Sequence, residues 1–586
     1  MSSWNDLRLV VEAIALENAI EHDGKPSLNA VVKKFLSTYP NYRSIIKELL
    51  PYFQNLIDSI SQMNLDDQLN RFNSLKHYLP EKRRIEIVRE ELPPIPCLKY
   101  GNVVTRFAPN PDFVLHLGSL RPLVLSYEYA KKYRGKFILR FEDTDPRLKR
   151  PELTYYELIL KDLEWLNIFP DEIHYQSDRL EIYYDFARKL MEIDAAYVCL
   201  CKKEKFNELV IKNQPCPHRM QSVEKNLEEF DKMLSKVYKE GEAVVRIKTD
   251  LMHPNISVRD WPALRIIDTE KYPHPRVGSK YTVWPLYNFS CAVDDYLMGV
   301  TLIFRGEEHR INEEKQRYIF HYMGREYPIA IHHGRIATTI GPLSKSKILK
   351  GIKEGLYVGI DDLRLATLAS LRRRGIRPDA LKNIIIKIGF KPGLSRIDWS
   401  LIASENRKLI EPIANRYFGA RCCGETSFVA VINLDESPFE YDIYIRKHPS
   451  HPERGNRRIL LLPENRSLYL YIDCNDIRYF KKGEKIRLIH LGNFIVEDRR
   501  NSQALLRYID NDTKKAINEK YPFIHWVPKN YCIEATLVYP DATYEGYIEM
   551  SITEERPNNI IQLERIGYFK IDEISEGRCK LLYMHK

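Results

Sequence analysis

Apolar positions recur at helical spacing near the start of the chain: Leu7, Val10, Val11, Ile14 and Leu16, then Val31, Val32, Phe35 and Leu36. This predicts helices throughout residues 1–95. Nothing in that stretch points to chemistry, so it reads as an appended helical domain that docks to a protein partner or to RNA. Leu92-Pro93-Pro94-Ile95-Pro96 is a stiff, proline-rich boundary after it.

Beyond the prolines the pattern alternates. A buried strand is predicted over Val103 to Phe107, a helix over Gly118 to Lys132 and a second strand over Phe137 to Phe141. Amphipathic helices follow over Leu153 to Leu166 and Arg179 to Ile193. Such β-α-β order predicts a parallel sheet with right-handed crossovers, and open sheets of that kind bind nucleotides at the carboxyl ends of their strands. The alternation is interrupted over about 197–265, which reads as an insertion, and strands resume from about 266. Residues 351–427 return to a helical, basic pattern. From 428 to 586 the chain breaks into short strands with turn signals, such as Val429 to Ile432, Ser467 to Ile472 and Ile533 to Val538. Strands so short and so spaced predict β-barrels.

Size and charge narrow the class. A chain of 586 residues exceeds one hydrophobic core and suggests roughly four domains. Asp6, Arg8, Glu12 and Glu17 near the start argue against a secretory leader. No apolar run approaches the roughly 18 residues of a membrane span, so no membrane association is expected. The 10 cysteines are scattered, which fits a reduced, cytoplasmic protein. Net charge is +10, with basic clusters at Lys131 to Lys136, Lys345 to Lys353, Arg372 to Arg377 and Arg454 to Arg458. A polyanionic partner and a merely basic surface are equally good readings of that charge.

Two distant segments carry the candidate chemistry. The first runs Thr105-Arg106-Phe107-Ala108-Pro109-Asn110-Pro111-Asp112-Phe113-Val114-Leu115-His116-Leu117-Gly118-Ser119, across a strand-to-helix turn. Free N–H groups and the positive dipole end gather at such a turn. Gly118 permits close approach of a nucleotide, and His116 can donate to a phosphate oxygen as charge develops. The second segment is Pro342-Leu343-Ser344-Lys345-Ser346-Lys347, a loop whose Lys345 can neutralise a departing pyrophosphate. Singly, each is weak: His-Leu-Gly-Ser is a common helix start and Ser-Lys-Ser-Lys a common charged loop. Together and in this order they resemble the two ATP-binding signatures of class I aminoacyl-tRNA synthetases.

Three further segments sharpen the resemblance: Arg106 to Pro111, Phe137-Ile138-Leu139-Arg140-Phe141-Glu142-Asp143-Thr144-Asp145-Pro146, and Val293-Asp294-Asp295-Tyr296-Leu297-Met298-Gly299-Val300-Thr301. They resemble the glutamyl/glutaminyl-tRNA synthetase family from about residue 97 onward, with Lys447 to Glu453 and Leu491-Gly492-Asn493 as landmarks in the barrel region. Barrels behind the catalytic domain look like the archaeal type of glutamyl enzyme. The implied organisation is multidomain. A helical N-terminal domain spans 1–95, and a Rossmann-like α/β catalytic domain spans 96–350 with an acceptor-binding insertion. A helical connecting domain follows over 351–427, then an anticodon-binding β-barrel region over 428–586.

The resemblance also implies roles. ATP with Mg²⁺ would lie against Pro109, His116, Gly118, Ser119, Ser344, Lys345 and Ser346, with Arg335 and Ile336 flanking the adenine. His116, Ser119 and Lys345 would act on the activation step. Glutamate would be held by Arg106 and Arg305 through its carboxylates and by Glu142 through its ammonium, with Ala108 and Asn110 lining the pocket and Tyr287 closing it. A second carboxylate calls for a cation, best an arginine, and Arg305 supplies one where glutamine enzymes carry an uncharged residue. An ion pair with Glu307 or Glu308 is the ordinary alternative for Arg305. Phe113 and Ser119 depart from the family's usual glycine and histidine, and Cys291 stands at a pocket position that is a polar amide in some relatives. The implied partners are tRNA(Glu), with tRNA(Gln) left open, L-glutamate and ATP. A glutaminyl enzyme and a catalytically silent RNA-binding paralogue are the alternatives; Arg305 disfavours the first and the largely intact ATP motifs the second.

Cys199-Leu200-Cys201 and Cys216-Pro217-His218 lie within the insertion, in a C-x-C-x14-C-x-H arrangement. Four such ligands suffice for a closed structural zinc site, and four reduced side chains in a loop remain the other reading.

Overall fold

A computed structural model describes residues 4–586 except 22–23, 40–41, 43–44, 80–90, 96–97, 99–100, 423, 425 and 435–439. The chain divides into two units, Met1–Val88 and Arg89–Lys586. The first contains helices Trp4–Glu21, Leu28–Thr38, Ile46–Ser61 and Leu65–Leu75. Leu7, Val10, Val11, Ile14, Leu16, Val31 and Phe35, read from the sequence as one apolar face, are buried together with Phe53 and Ile57. Asn64 caps the last helix by accepting from Asp67 N at 2.8 Å.

In the second unit, Leu92 and Ile95 are buried in the main core, and Tyr129 Oη donates to Pro93 O at 2.7 Å. The proline-rich stretch is thus pinned to this core; its last residue, Pro96, lies outside the described residues. The centre is a five-stranded parallel sheet of β1 (Val104–Phe107), β2 (Lys136–Phe141), β3 (Glu172–Tyr175), β4 (Leu302–Gly306) and β5 (Ile329–His333). Its spatial order is β3-β2-β1-β4-β5. The chain builds outward from β1 in one direction, then returns to build from β4 in the other. The switch point therefore falls between β1 and β4. Most of β1, β2 and β4 is buried, as helix-covered parallel strands should be.

Between β3 and β4 the chain forms a separate antiparallel sheet of Ala196–Cys199, Val244–Ile247, Pro262–Ile266 and Val283–Pro285. The strands that resume near residue 266 belong to this inserted sheet, because Ile266 pairs with Val283 and not with the central sheet.

Helices Leu368–Arg373, Pro378–Ile388 and Trp399–Ile410 precede the β part, which begins at Asn415 rather than near 428. The sequence hid this start because Asn415-Arg416-Tyr417-Phe418-Gly419-Ala420-Arg421 lacks apolar alternation. Two seven-stranded sheets follow. In one, the edge strands Asn415–Tyr417 and Gly419–Arg421 are halves of a single strand bent at Phe418. In the other, Phe523–Ile524 and Val527–Pro528 are halves bent at His525-Trp526. One bent strand supplies both edges, so each sheet curls into a barrel-like form with its edges covered. The two bends pack on each other: the Phe418 ring lies 5.9 Å from His525 and 5.8 Å from Trp526, and His525 Nε2 donates to Gly419 O at 2.6 Å. Among the described residues no helix is long and apolar enough to cross a membrane.

Candidate active site

The turn after β1 is built as its sequence suggests. His116 has extended backbone geometry and caps the turn Leu117–Ser119, with helix Leu120–Lys132 behind it. Its Nδ1 accepts from Gly118 N at 3.0 Å, and Ser119 Oγ accepts from His116 N at 3.5 Å. That arrangement leaves Nε2 as the ring donor, and burial lowers the His116 pKa, so the ring is neutral near pH 7. A Cβ on Gly118 would lie 2.9 Å from His116 Cε1, so any side chain there would displace the His116 ring. Backbone bonds from Leu117 N to Ala366 O (2.9 Å) and Leu368 N to Leu115 O (3.0 Å) fasten the turn to the connecting segment.

A cavity of about 340 Å³ opens beside this turn, lined by Pro109, Asn110, Asp112, Phe113, His116, Ser119 and Lys345 among others. Lys345 is the first residue of helix Lys345–Lys353 rather than part of the loop expected from the sequence, with Ser344 at its cap. Its Nζ lies 3.1 Å from Asp112 Oδ2. Ser344 and Ser346 are exposed, as is Arg335. Arg335 Nε stands 3.6 Å from Glu308 Oε2. Ile336 packs against the main core. These four residues lie outside the lining of the cavity.

A second cavity, of about 130 Å³, shares Phe107 and Pro122 with the first and is lined by Arg106, Ala108, Glu142, Tyr287, Phe304, Arg305, Gly306 and His309. It opens where β1 and β4 part beyond their pairing at Thr105 and Leu302. Arg106 approaches Asp295 with both Nε and Nη2, at 3.2 and 3.3 Å. Arg140 Nη1 donates to the same carboxylate at 2.7 Å and its Nη2 to Glu142 Oε1 at 3.3 Å. Cys291 Sγ donates to Glu142 Oε1 at 2.7 Å. Tyr287 Oη and His309 Nδ1 are 3.4 Å apart.

Arg305 is 5% exposed, and its Nη1 donates to Gln316 Oε1 at 3.0 Å. Its Nε and Nη2 are buried with no acceptor. The expected alternative, an ion pair with Glu307 or Glu308, does not form: Glu307 pairs with Arg310 and Glu308 with Arg335. Burial of unsatisfied guanidinium N–H groups is costly, and among the described residues Arg305 is the arginine with two such nitrogens.

The electrostatics favour fixed charges over titrating ones. Burial opposes ionisation of Asp295, but Arg106 and Arg140 outweigh it and hold its carboxyl at about 2. Burial, reinforced by Arg305, pushes His309 down to about 4, so it is neutral at physiological pH. Burial and the adjacent Glu142 push the Cys291 thiol well up, which keeps it a neutral donor. Sequence reasoning left Cys291 without a role and passed over His309 and Gln316. The paired acids Asp294 and Asp295, both buried on helix Tyr287–Leu297, were the one available signal for the ion-pair chain beneath the pocket.

In the inserted unit, Cys199, Cys201, Cys216 and His218 come together, each offering a ligand atom within 4.8 Å of all the others. Cys216 Sγ is 3.5 Å from Cys199 Sγ, 3.4 Å from Cys201 Sγ and 3.4 Å from His218 Nδ1. Such spacing and donor chemistry fit one small tetrahedral ion.

A parallel sheet with a histidine-capped strand-to-helix turn at its switch point, faced by a lysine-bearing helix start, is the architecture of a class I aminoacyl-tRNA synthetase. Comparisons with known proteins agree. The family described as "tRNA synthetases class I (E and Q), catalytic domain" matches residues 102–412. Two anti-codon binding domains of the same class match 414–509 and 523–572. The chain is 46% identical to a "Glutamate--tRNA ligase" of Pyrococcus abyssi, over 98% of this chain and 100% of that one. It is 47% identical to one of Pyrococcus horikoshii over the same shares, and 45% identical to one of Thermococcus kodakarensis over 99% of this chain and 100% of that one. The chain belongs to the glutamyl/glutaminyl (E and Q) family of class I tRNA synthetases.

Proposed function

We infer that this chain is a glutamate–tRNA ligase of the archaeal type, acting in translation with ATP, L-glutamate and tRNA. The observation that carries the reading is Arg305, whose Nε and Nη2 are buried without an acceptor and which lines a small cavity that shares Phe107 and Pro122 with the one beside His116 and Lys345. An α-carboxylate oxygen of glutamate attacks the α-phosphorus of ATP-Mg²⁺. The bond to pyrophosphate breaks and glutamyl-adenylate forms. A ribose hydroxyl of the tRNA's terminal adenosine then attacks the acyl carbon, and AMP leaves. The protein contributes position and fixed charge.

In this reading Arg305 and Arg106 receive the carboxylates, Glu142 the ammonium, Tyr287 and Ala108 shape the pocket, and Asn110 borders it from the lining of the cavity beside His116. His116 Nε2–H and Lys345 stabilise charge on the phosphates, and Ser119 holds the turn. Pro109, Gly118, Ser344 and Ser346 border the nucleotide, and Arg335 and Ile336 flank the adenine. The Cys199, Cys201, Cys216 and His218 cluster would hold structural zinc, which orders the insertion against the tRNA acceptor end. The β part from Asn415 onward would read the anticodon, the helical segment from 351 up to it would connect, and 1–95 would dock a protein partner. The setting is the cytoplasm, with tRNA(Glu) as substrate and tRNA(Gln) as a second substrate to be tested.

Charging of total archaeal tRNA with labelled glutamate, and separately with labelled glutamine, tests this. Glutamate incorporation supports the reading; incorporation of glutamine alone overturns the substrate, and incorporation of neither overturns the activity.

A further inference from the structure

The ionised groups beneath the amino-acid cavity form one chain of contacts. Arg179 Nε meets Asp294 at 2.8 Å, Arg140 reaches Asp294, Asp295 and Glu142, and Arg106 meets Asp295. With Arg305 beside them, four arginines (106, 140, 179, 305) face three carboxylates (142, 294, 295). One positive charge is left over, and it sits on Arg305, which makes no ion pair among the described residues. The other polar groups at the cavity are neutral, since burial holds His309 at about 4 and pushes the thiol of Cys291 and the phenol of Tyr287 upward. Bound glutamate carries one net negative charge and completes the balance. Glutamine carries none and leaves the surplus buried.

The residue that keeps this surplus is Gln316. It is fully buried on helix Arg310–Tyr322. Its Oε1 accepts from Arg305 Nη1 at 3.0 Å and from Tyr327 Oη at 2.7 Å, while its Nε2 donates to Asn288 Oδ1 at 3.2 Å. Arginine can only donate, so the amide orientation is fixed. The amide steers the guanidinium without cancelling its charge, and leaves Nε and Nη2 for the substrate.

We propose that Gln316 is a specificity-determining positioning residue, an uncharged clamp that aims Arg305 while preserving its charge for the glutamate side-chain carboxylate. This rests on the glutamate-ligase reading above. The same length of side chain ending in a carboxylate would fill the vacancy from within the protein.

The test measures steady-state charging by the full-length wild type, Gln316→Glu, Gln316→Met and Tyr327→Phe, with folding checked by thermal melting. Gln316→Glu should raise the KM for glutamate about 100-fold, with the KM for ATP within about twofold of wild type. Gln316→Met, which loses the clamp but adds no charge, should raise it about 10-fold. For glutamine the order should reverse, with Gln316→Glu the better enzyme of the two. A merely structural role would move both substrates together and give no such reversal. Equal losses in the two variants, or a glutamate KM within about threefold of wild type in Gln316→Glu, overturn the proposal. If Gln316→Glu gives no cooperative melt, Tyr327→Phe decides: it frees the amide and should raise the glutamate KM about 3-fold or more, and an unchanged KM overturns the proposal. Wild type that charges glutamate, beside variants that are unaffected, removes only the role of Gln316. Wild type that charges no glutamate removes the functional reading and this proposal with it.

Discussion

Lys345 and Asp112 meet at 3.1 Å although 233 positions separate them along the chain. The pair closes one side of the nucleotide cavity and parks the ammonium beside the turn that carries His116. Lys345 is about one-third exposed, so the pair itself adds little stability. In the proposed mechanism it places a cation where phosphate charge develops. Lys345→Ala is expected to slow adenylate formation by about 10² to 10³ while tRNA affinity stays near wild type. Pyrophosphate exchange in the presence of tRNA and a filter-binding assay measure the two separately; equal loss in both would count against the role.

Phe113 explains how the two halves of that cavity keep their register. It is 6% exposed and packs with Val114, Ile348 and Leu365, so it joins the segment before His116 to the helix that begins at Lys345. Where the family usually has glycine, this chain has an apolar plug. Phe113→Ala should destabilise this region by about 3 kcal/mol and raise the KM for ATP about tenfold, with the KM for glutamate little changed. A variant with ordinary ATP kinetics would show that the plug serves packing alone.

The four-ligand cluster in the insertion gives a metal prediction. Purified protein is expected to carry one zinc per chain by elemental analysis. Cys216→Ser should lose that zinc and lower the melting temperature by roughly 3 to 8 °C. Pyrophosphate exchange should fall less than tRNA charging, since none of the four residues lines the amino-acid cavity. Metal-free wild type with an unchanged melt would remove the site.

The buried histidines predict acid sensitivity of a definite sign. His309 and His585 are held at about 4 by burial, below the ordinary value of 6.5. The unfolded chain therefore binds more protons than the folded one between those values, so stability falls as pH is lowered from about 6.5 to about 4. Asp295, held at about 2 against an ordinary 3.8, adds a further loss only below pH 3.8. Melting temperature should drop between pH 7 and pH 5, and the drop should shrink in His585→Asn. A flat profile over that range would contradict the assignment.

The sequence revealed two of the five strands of the central sheet, β1 and β2, through the mostly apolar run of β2 and the helical pattern between the two. It revealed His116 and Lys345 because their neighbours form recognisable signatures. The bent strand through Phe418 was hidden, since its two halves belong to opposite edges of one sheet and neither shows alternation. Gln316 was hidden for a different reason. Its importance comes from contacts with Arg305, Tyr327 and Asn288, from three other segments, and a lone glutamine in a polar helix sends no local signal. Arg305 was found as a cation, but that its partners would be neutral could be seen only once the chain was folded.

Selection of glutamate is assigned to Arg305 reading a carboxylate. The most direct measurement is the ratio of kcat/KM for glutamate to that for glutamine, in wild type and in Arg305→Gln. The expected ratio is at least about 10³ in wild type, falling by about 100-fold or more in the variant, chiefly through loss of glutamate. A variant that keeps the wild-type ratio would place selection elsewhere and contradict the assignment of the pocket.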